Sequence, residues 1–167
     1  MPKCYRIYDV CIMRMSKGVE WAVHTLLNLD MTGDAPVSSQ RLAIAHGLPA
    51  AYLNKQLQHL VRAGLLESTA GTKGGFRLAR PLDEITLLDV VHAIEGDATL
   101  FQCDEIRCGG KIGELSPPPT AACAVKAAMH RADEAWRLAL RSQRVSDIRA
   151  RLDPGHEFRD TVRSVLL

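Results

Sequence analysis

Glycine and proline cut residues 33–81 into short pieces of fixed length. Gly33, Asp34 and Pro36 end a helical pattern that starts near Ser16, a residue type suited to an N-cap. Val19, Ala22, Val23, Leu26 and Leu27 recur there at helical spacing, with Trp21 on the opposite side, so the pattern predicts a helix that buries two faces. Ser38 or Ser39 caps a second helix from Gln40 to Ala45, which His46 and Gly47 end. Pro49 suits the first turn of a third helix, with Leu53, Leu57, Leu60 and Val61 on one face and Gly64 at its end. Leu65 to Ser68 and Phe76 to Ala79 read as short strands, joined by a turn from Thr69 to Gly75 that contains three glycines.

Beyond Pro81 the pattern changes. Thr86 and Asp89 resemble a capping box for a helix running to Ile94 and stopped by Gly96. Residues 97–119 form a long connection with Cys103, Cys108 and three consecutive prolines; a connection of that length is functional or disordered. Thr120 caps a helix reaching about Arg141, which would span about 33 Å at ~1.5 Å per residue. Val125, Met129, Ala132, Trp136 and Ala139 form its seam, and its length favours a subunit interface. Ser146 starts one more short helix, and the stretch from Asp153 carries no readable pattern. The expected fold class is mainly α with a small β-wing: a winged helix–turn–helix plus a long C-terminal dimerisation helix. The expected divisions are 1–12 as an N-terminal extension (an upstream-start artefact or loose tail), 13–82 as the DNA-binding domain, 83–152 as the loop and dimerisation helix, and 153–167 as a C-terminal tail.

Charge says little in bulk and more in detail. The net charge of the 167 residues is +2, but residues 38–80 alone carry +5 from Arg41, Lys55, Arg62, Lys73, Arg77 and Arg80 against Glu67. A local basic patch in a nearly neutral chain is the footprint of a nucleic-acid-binding module, and the alternative is a solvated basic face. The third helix offers small and polar side chains at its start, Ala50, Ala51, Tyr52, Asn54, Lys55 and Gln58, which permit close approach to base edges in a major groove. Ser39 and Gln40 open the helix before it. The wing, with Lys73, Gly74 and Arg77, brings cations and bare backbone to phosphates or a minor groove. Double-stranded DNA is the expected partner; protein contacts are the alternative use of such a fold. No apolar run reaches the ~18 residues a membrane span needs, and no signal peptide precedes residue 13, so the expected compartment is the cytosol. Five cysteines, an odd number, do not read as a disulfide framework. No phosphate loop, HExxH, nucleophile elbow or CxxC pair is present, so an enzyme is not expected.

Specific stretches also match a known pattern. Tyr52-Leu53-Asn54-Lys55-Gln56-Leu57, Arg62-Ala63-Gly64-Leu65-Leu66, Gly74-Gly75-Phe76-Arg77-Leu78-Ala79-Arg80-Pro81 and Glu84-Ile85-Thr86-Leu87-Leu88-Asp89-Val90-Val91 resemble the IscR/NsrR-type winged-helix regulators of bacteria. The resemblance runs from Met13 to about residue 150. It implies a homodimeric transcription factor, and many members carry an iron–sulfur cluster that sets DNA affinity.

Cys103, Cys108 and Cys123 fall where that family holds its cluster, but the gaps between them are four and fourteen residues rather than five and five. Cys123 follows a helix cap, where the helix N-terminus favours a thiolate. Cys103 follows apolar Leu100 and Phe101, and Cys108 sits in a looser stretch. Glu20 borders the apolar face of the first helix and His46 ends the second; on chemistry alone each reads as an ordinary surface or cap residue. Val19-Glu20-Trp21-Ala22, Ala45-His46, the run Phe101 to Arg107 and Cys123 together resemble the RsrR-type redox-sensing subgroup. That resemblance implies a 2Fe–2S cluster held by Cys103 and Cys123 of one chain and by Glu20 and His46 of its partner, with Cys108 in reserve. A one-electron change there would alter the angle between the two winged helices. Cys4 and Cys11 lie outside the match, and His24, His59, His92 and His130 read as packed or exposed helix residues. The competing readings are a cluster-free repressor controlled by cysteine oxidation and a zinc site.

Overall fold

The structure is a computed structural model that describes residues 15–71, 74–155 and 157–167. The first helix, α1 (Lys17–Thr32), begins where the Ser16 hydroxyl accepts the Gly18 N–H, and ends at Gly33, which has a positive φ of 72°. It is buried nearly all round, as its apolar pattern predicts: Ala22, Leu26, Leu27, Leu29 and Met31 are each at most 2% exposed. Helix α2 (Ser39–His46) is capped by Ser38, and α3 (Ala50–Arg62) follows the extended residue Pro49. The turn between them needs Gly47, which sits in the left-handed region (φ 62°, ψ 34°) and donates its N–H to carbonyls at the end of α2.

Strands β1 (Leu66–Thr69) and β2 (Gly75–Leu78) pair antiparallel, Leu66 opposite Leu78 and Thr69 opposite Gly75. A two-stranded ribbon is marginal in water. This one is anchored by Leu66 and Phe76, both buried, and by an antiparallel bridge between Phe76 and Val37. Gly74 is required by closure of the hairpin, because a Cβ there would lie 2.2 Å from the Thr69 carbonyl oxygen. Lys73, the expected wing cation, lies outside the described residues, as do Cys4 and Cys11.

Helix α4 (Leu87–Glu95) carries the expected capping box, Thr86 and Asp89 bonding each other's backbone N–H groups. The long connection is not structureless: it contains a 3-10 turn at Ile106–Cys108 and a short helix α5 (Gly110–Leu115). Helix α6 (Ala124–Arg141) starts three residues later than a cap at Thr120 would have placed it. Residues 120–123 are non-helical, and the first helical carbonyl is that of Cys123, which accepts the Ala127 N–H. Cys123 is therefore the N-cap residue rather than a member of the first turn.

The far end of α6 is tied down. Gln143 accepts the Leu87 N–H, and Val145 donates to Ile85. Trp136 and Leu140 pack with Val19, Leu88 and Val91 into a small second core. Helix α7 (Val145–Leu152) turns the chain back. The stretch that carried no pattern as sequence then forms α8 (Glu157–Leu166), which lies against α1 and α2 and adds Val162 and Leu166 to the main core.

Candidate nucleic-acid interface and metal centre

The surface of α3 is divided by its period. Leu53, Gln56, Leu57 and Leu60 are buried, whereas Ala50, Ala51, Asn54, Lys55 and Gln58 are exposed. The expected reading residues therefore share the free side of the helix. Tyr52 is 45% exposed, and its ring meets the edge of Trp21 at 5.1 Å and 83°, which ties the start of α3 to α1. Gln40 is exposed in the first turn of α2, and Ser39 is half-buried there. On the wing, Arg77 is exposed and paired with Glu67 across the ribbon at 2.8 Å.

The thiols expected to act together are brought together. Cys103 and Cys123 offer sulfur atoms within 4.8 Å of one another, and a Glu105 carboxylate oxygen completes the group within the same distance. Cys108 is exposed and stands outside the group. Glu105 gave no sequence signal, because its approach depends on its own left-handed backbone (φ 49°). That conformation is uncommon for a residue with a Cβ.

The Arg107 guanidinium pairs with Glu105 and also donates to the Ala121 carbonyl, bridging the two halves of the site. The backbone N–H of Lys126, at the start of α6, holds the Cys123 thiol below its ordinary pKa. The N–H of Val125, the Cys103 thiol and Arg107 act in the same direction against the cost of desolvation. Upstream, Arg137 of α6 fixes the start of the loop: it donates to Asp97 at 2.6 Å, to the Ala98 carbonyl and to the buried Asp133.

Glu20 and His46 are not part of this group within one chain. Glu20 is exposed, beside the buried Val19. His46 touches Asn28 through its Nε2, and its ring centroid is 6.1 Å from that of His24. Partial burial, with a smaller contribution from His24, pushes the His46 pKa down and favours the neutral imidazole. His24 is one helical turn after Glu20, so a carboxylate and two imidazoles share one region of α1 and the α2 end.

Comparison with known proteins adds a family. A model for the Rrf2 family, described as an iron-dependent transcriptional regulator, matches residues 15–151. Over 136 residues the chain is 35% identical to protein aau3 of Rhizobium meliloti (strain 1021), covering 81% of this chain and 84% of that one. It is 27% identical over 138 residues to the HTH-type transcriptional repressor NsrR of Streptomyces coelicolor, covering 81% and 88%. Its fold is similar to that of CymR, the global cysteine regulator of B. subtilis, with a TM-score of 0.64 at 22% identity over 83% of this chain and 98% of that one.

Proposed function

As a member of the Rrf2 family, the chain is a DNA-binding transcriptional regulator, and from that premise we propose that it works as a homodimer whose operator affinity follows a 2Fe–2S cluster. The observation that carries the cluster reading is the convergence of Cys103 and Cys123. Two thiolates are half of what such a cluster needs, and the donor chemistry fits: soft sulfur, a thiol held below its ordinary pKa, and a neighbouring cation. The other half is assigned to the partner's α1 region, through Glu20 and His46, with His24 as the adjoining imidazole. Bound there, the cluster supplies a one-electron couple.

The chain's own residues do the rest. Arg137 and Arg107 hold the loop so that the two sulfurs face one point, and α6 presents Cys123 at its N-terminus. Glu20 rides on the helix that packs against α3, and His46 ends the helix before it. Ligation by those residues couples the long-helix end of one chain to the reading head of the other. The exposed side of α3, with Ala51, Tyr52 and Lys55, enters the major groove, and the wing, with Lys73, Gly74 and Arg77, lies along the backbone beside it.

The test is visible absorption with iron and sulfide analysis on protein purified without oxygen. About two irons and two sulfides per cluster, with a band that bleaches reversibly on reduction, are expected. Cys103→Ala and Cys123→Ala each lose the iron, and Cys108→Ala keeps it. Stoichiometric iron in either of the first two variants would sink the ligand assignment. A second reading draws on the same closeness of thiols: a cluster-free repressor in which peroxide joins Cys103 and Cys123 as a disulfide, both thiol protons leaving with the reduced oxygen. Colourless, iron-free protein that loses two mass units on oxidation identifies that case.

A further inference from the structure

Helix α8 lies beyond the residues that the family model matches, yet it is built into the reading head. Each of its ends is fastened. At the N-terminal end the buried Asp153 carboxylate accepts the N–H groups of Phe158 and Arg159, at 3.0 and 3.1 Å. The same carboxylate is paired with Arg149, whose guanidinium also reaches Asp30 on α1. Along its inner face, Val162 and Leu166 are 7% and 1% exposed. At the C-terminal end Arg41 of α2 donates to main-chain oxygens of Leu166 and Leu167, at 2.9 and 2.8 Å. Helix C-termini leave carbonyls without partners and carry partial negative charge, so a guanidinium is well matched to that end.

We propose that α8 is a strap that fixes α2 against α1, and that Arg41 is a positioning residue for DNA binding rather than a phosphate contact. Arg41 counts toward the basic patch of residues 38–80, and from charge alone it reads as one more cation for the backbone. Its Nη1 instead donates to the end of α8. Helix α2 packs on both α3 and α8. A strap across α1 and α2 therefore sets the pitch at which α3 is presented.

The two roles differ in salt dependence. A phosphate contact contributes about 0.9 to the slope of log K against log salt, and a positioning residue contributes nothing. The measurement is affinity across a salt series for the full chain and for Arg41→Ala, Arg41→Lys, Asp153→Ala and the Arg41→Ala/Asp153→Ala pair. The probe is a duplex selected from a random-sequence pool on the unaltered chain.

Arg41→Ala should weaken binding roughly tenfold, the scale of a lost charged hydrogen bond, with the slope unchanged. Arg41→Lys, which still donates, recovers part of the loss. The double variant falls short of the sum, because both changes loosen one strap. Amide exchange quickens in α2 while the thermal midpoint stays above the assay temperature. A slope flattened by about 0.9 makes Arg41 a phosphate contact and overturns the proposal, as does unaltered affinity. If Asp153→Ala fails to fold, the slope of Arg41→Ala alone decides.

Discussion

Arg77 has two claims on its charge. It is paired with Glu67, and both side chains are about half exposed. A pair of that kind is worth about 0–1 kcal/mol, so a DNA phosphate exchanges for Glu67 at little cost. Arg77→Ala and Lys55→Ala should each weaken binding and flatten the salt slope by about 0.9. Tyr52→Ala should weaken binding with the slope intact, because its ring braces α3 on Trp21 and carries no charge; a salt titration of all three separates the roles. At this scale the sequence was informative where chemistry is local. Ala51, Lys55 and Arg77 are exposed as their helix and strand periods required. It was uninformative where a contact depends on a distant segment. Glu105 reaches both thiols only through a left-handed backbone, and Arg41 leaves the basic patch only because a helix more than a hundred residues later meets it.

Helix starts were legible wherever a hydroxyl sits at the cap: Ser16, Ser38 and Thr86 each accept the N–H of the first helical turn. Asp89 completes the box at Thr86, and it makes an acid-stability prediction. Burial opposes its charge, but the Thr86 N–H and hydroxyl, Arg80 and His92 outweigh burial and hold its pKa below the ordinary 3.8. The folded value lies below the unfolded one. The stabilisation is thus complete above pH 3.8 and is lost as pH falls from there through the folded value. Asp89→Asn should cost about 1 kcal/mol near neutrality and flatten that acid limb, as read by thermal unfolding across pH. The start of α6 was misread because Thr120 is a good cap by type, whereas the residue that occupies the cap is a cysteine. Helix α8 was unreadable for another reason. Its buried contacts are few, Val162 and Leu166 with Phe158 and Val165 left exposed, and so little apolar period does not rise above chance.

Among the described residues, α6 leaves an apolar face uncovered. On α6, Val125 and Leu138 are 62% and 64% exposed, and in the preceding connection Ile106, Ile112 and Leu115 are more exposed still. The seam expected for that helix is only partly used within the chain, by Trp136, while Ala132 and Ala139 stay exposed. A second copy covering this face is the arrangement the proposed function requires. Leu138→Asp should then yield a monomer with an unchanged thermal core, seen as halved mass in sedimentation and a loss of operator binding greater than tenfold. Sedimentation as an unaltered dimer would remove α6 from the interface.

The strap also orders events in time. Arg41 and Leu166 are 125 residues apart, and Val162 and Leu166 belong to the same core as the helices made first. At synthesis rates of about 5–20 residues per second, roughly 6–25 seconds separate the emergence of α2 from that of the helix that locks it. A nascent chain on the ribosome carries its DNA-reading surface early but not its final geometry. Binding competence therefore waits for α8 to emerge.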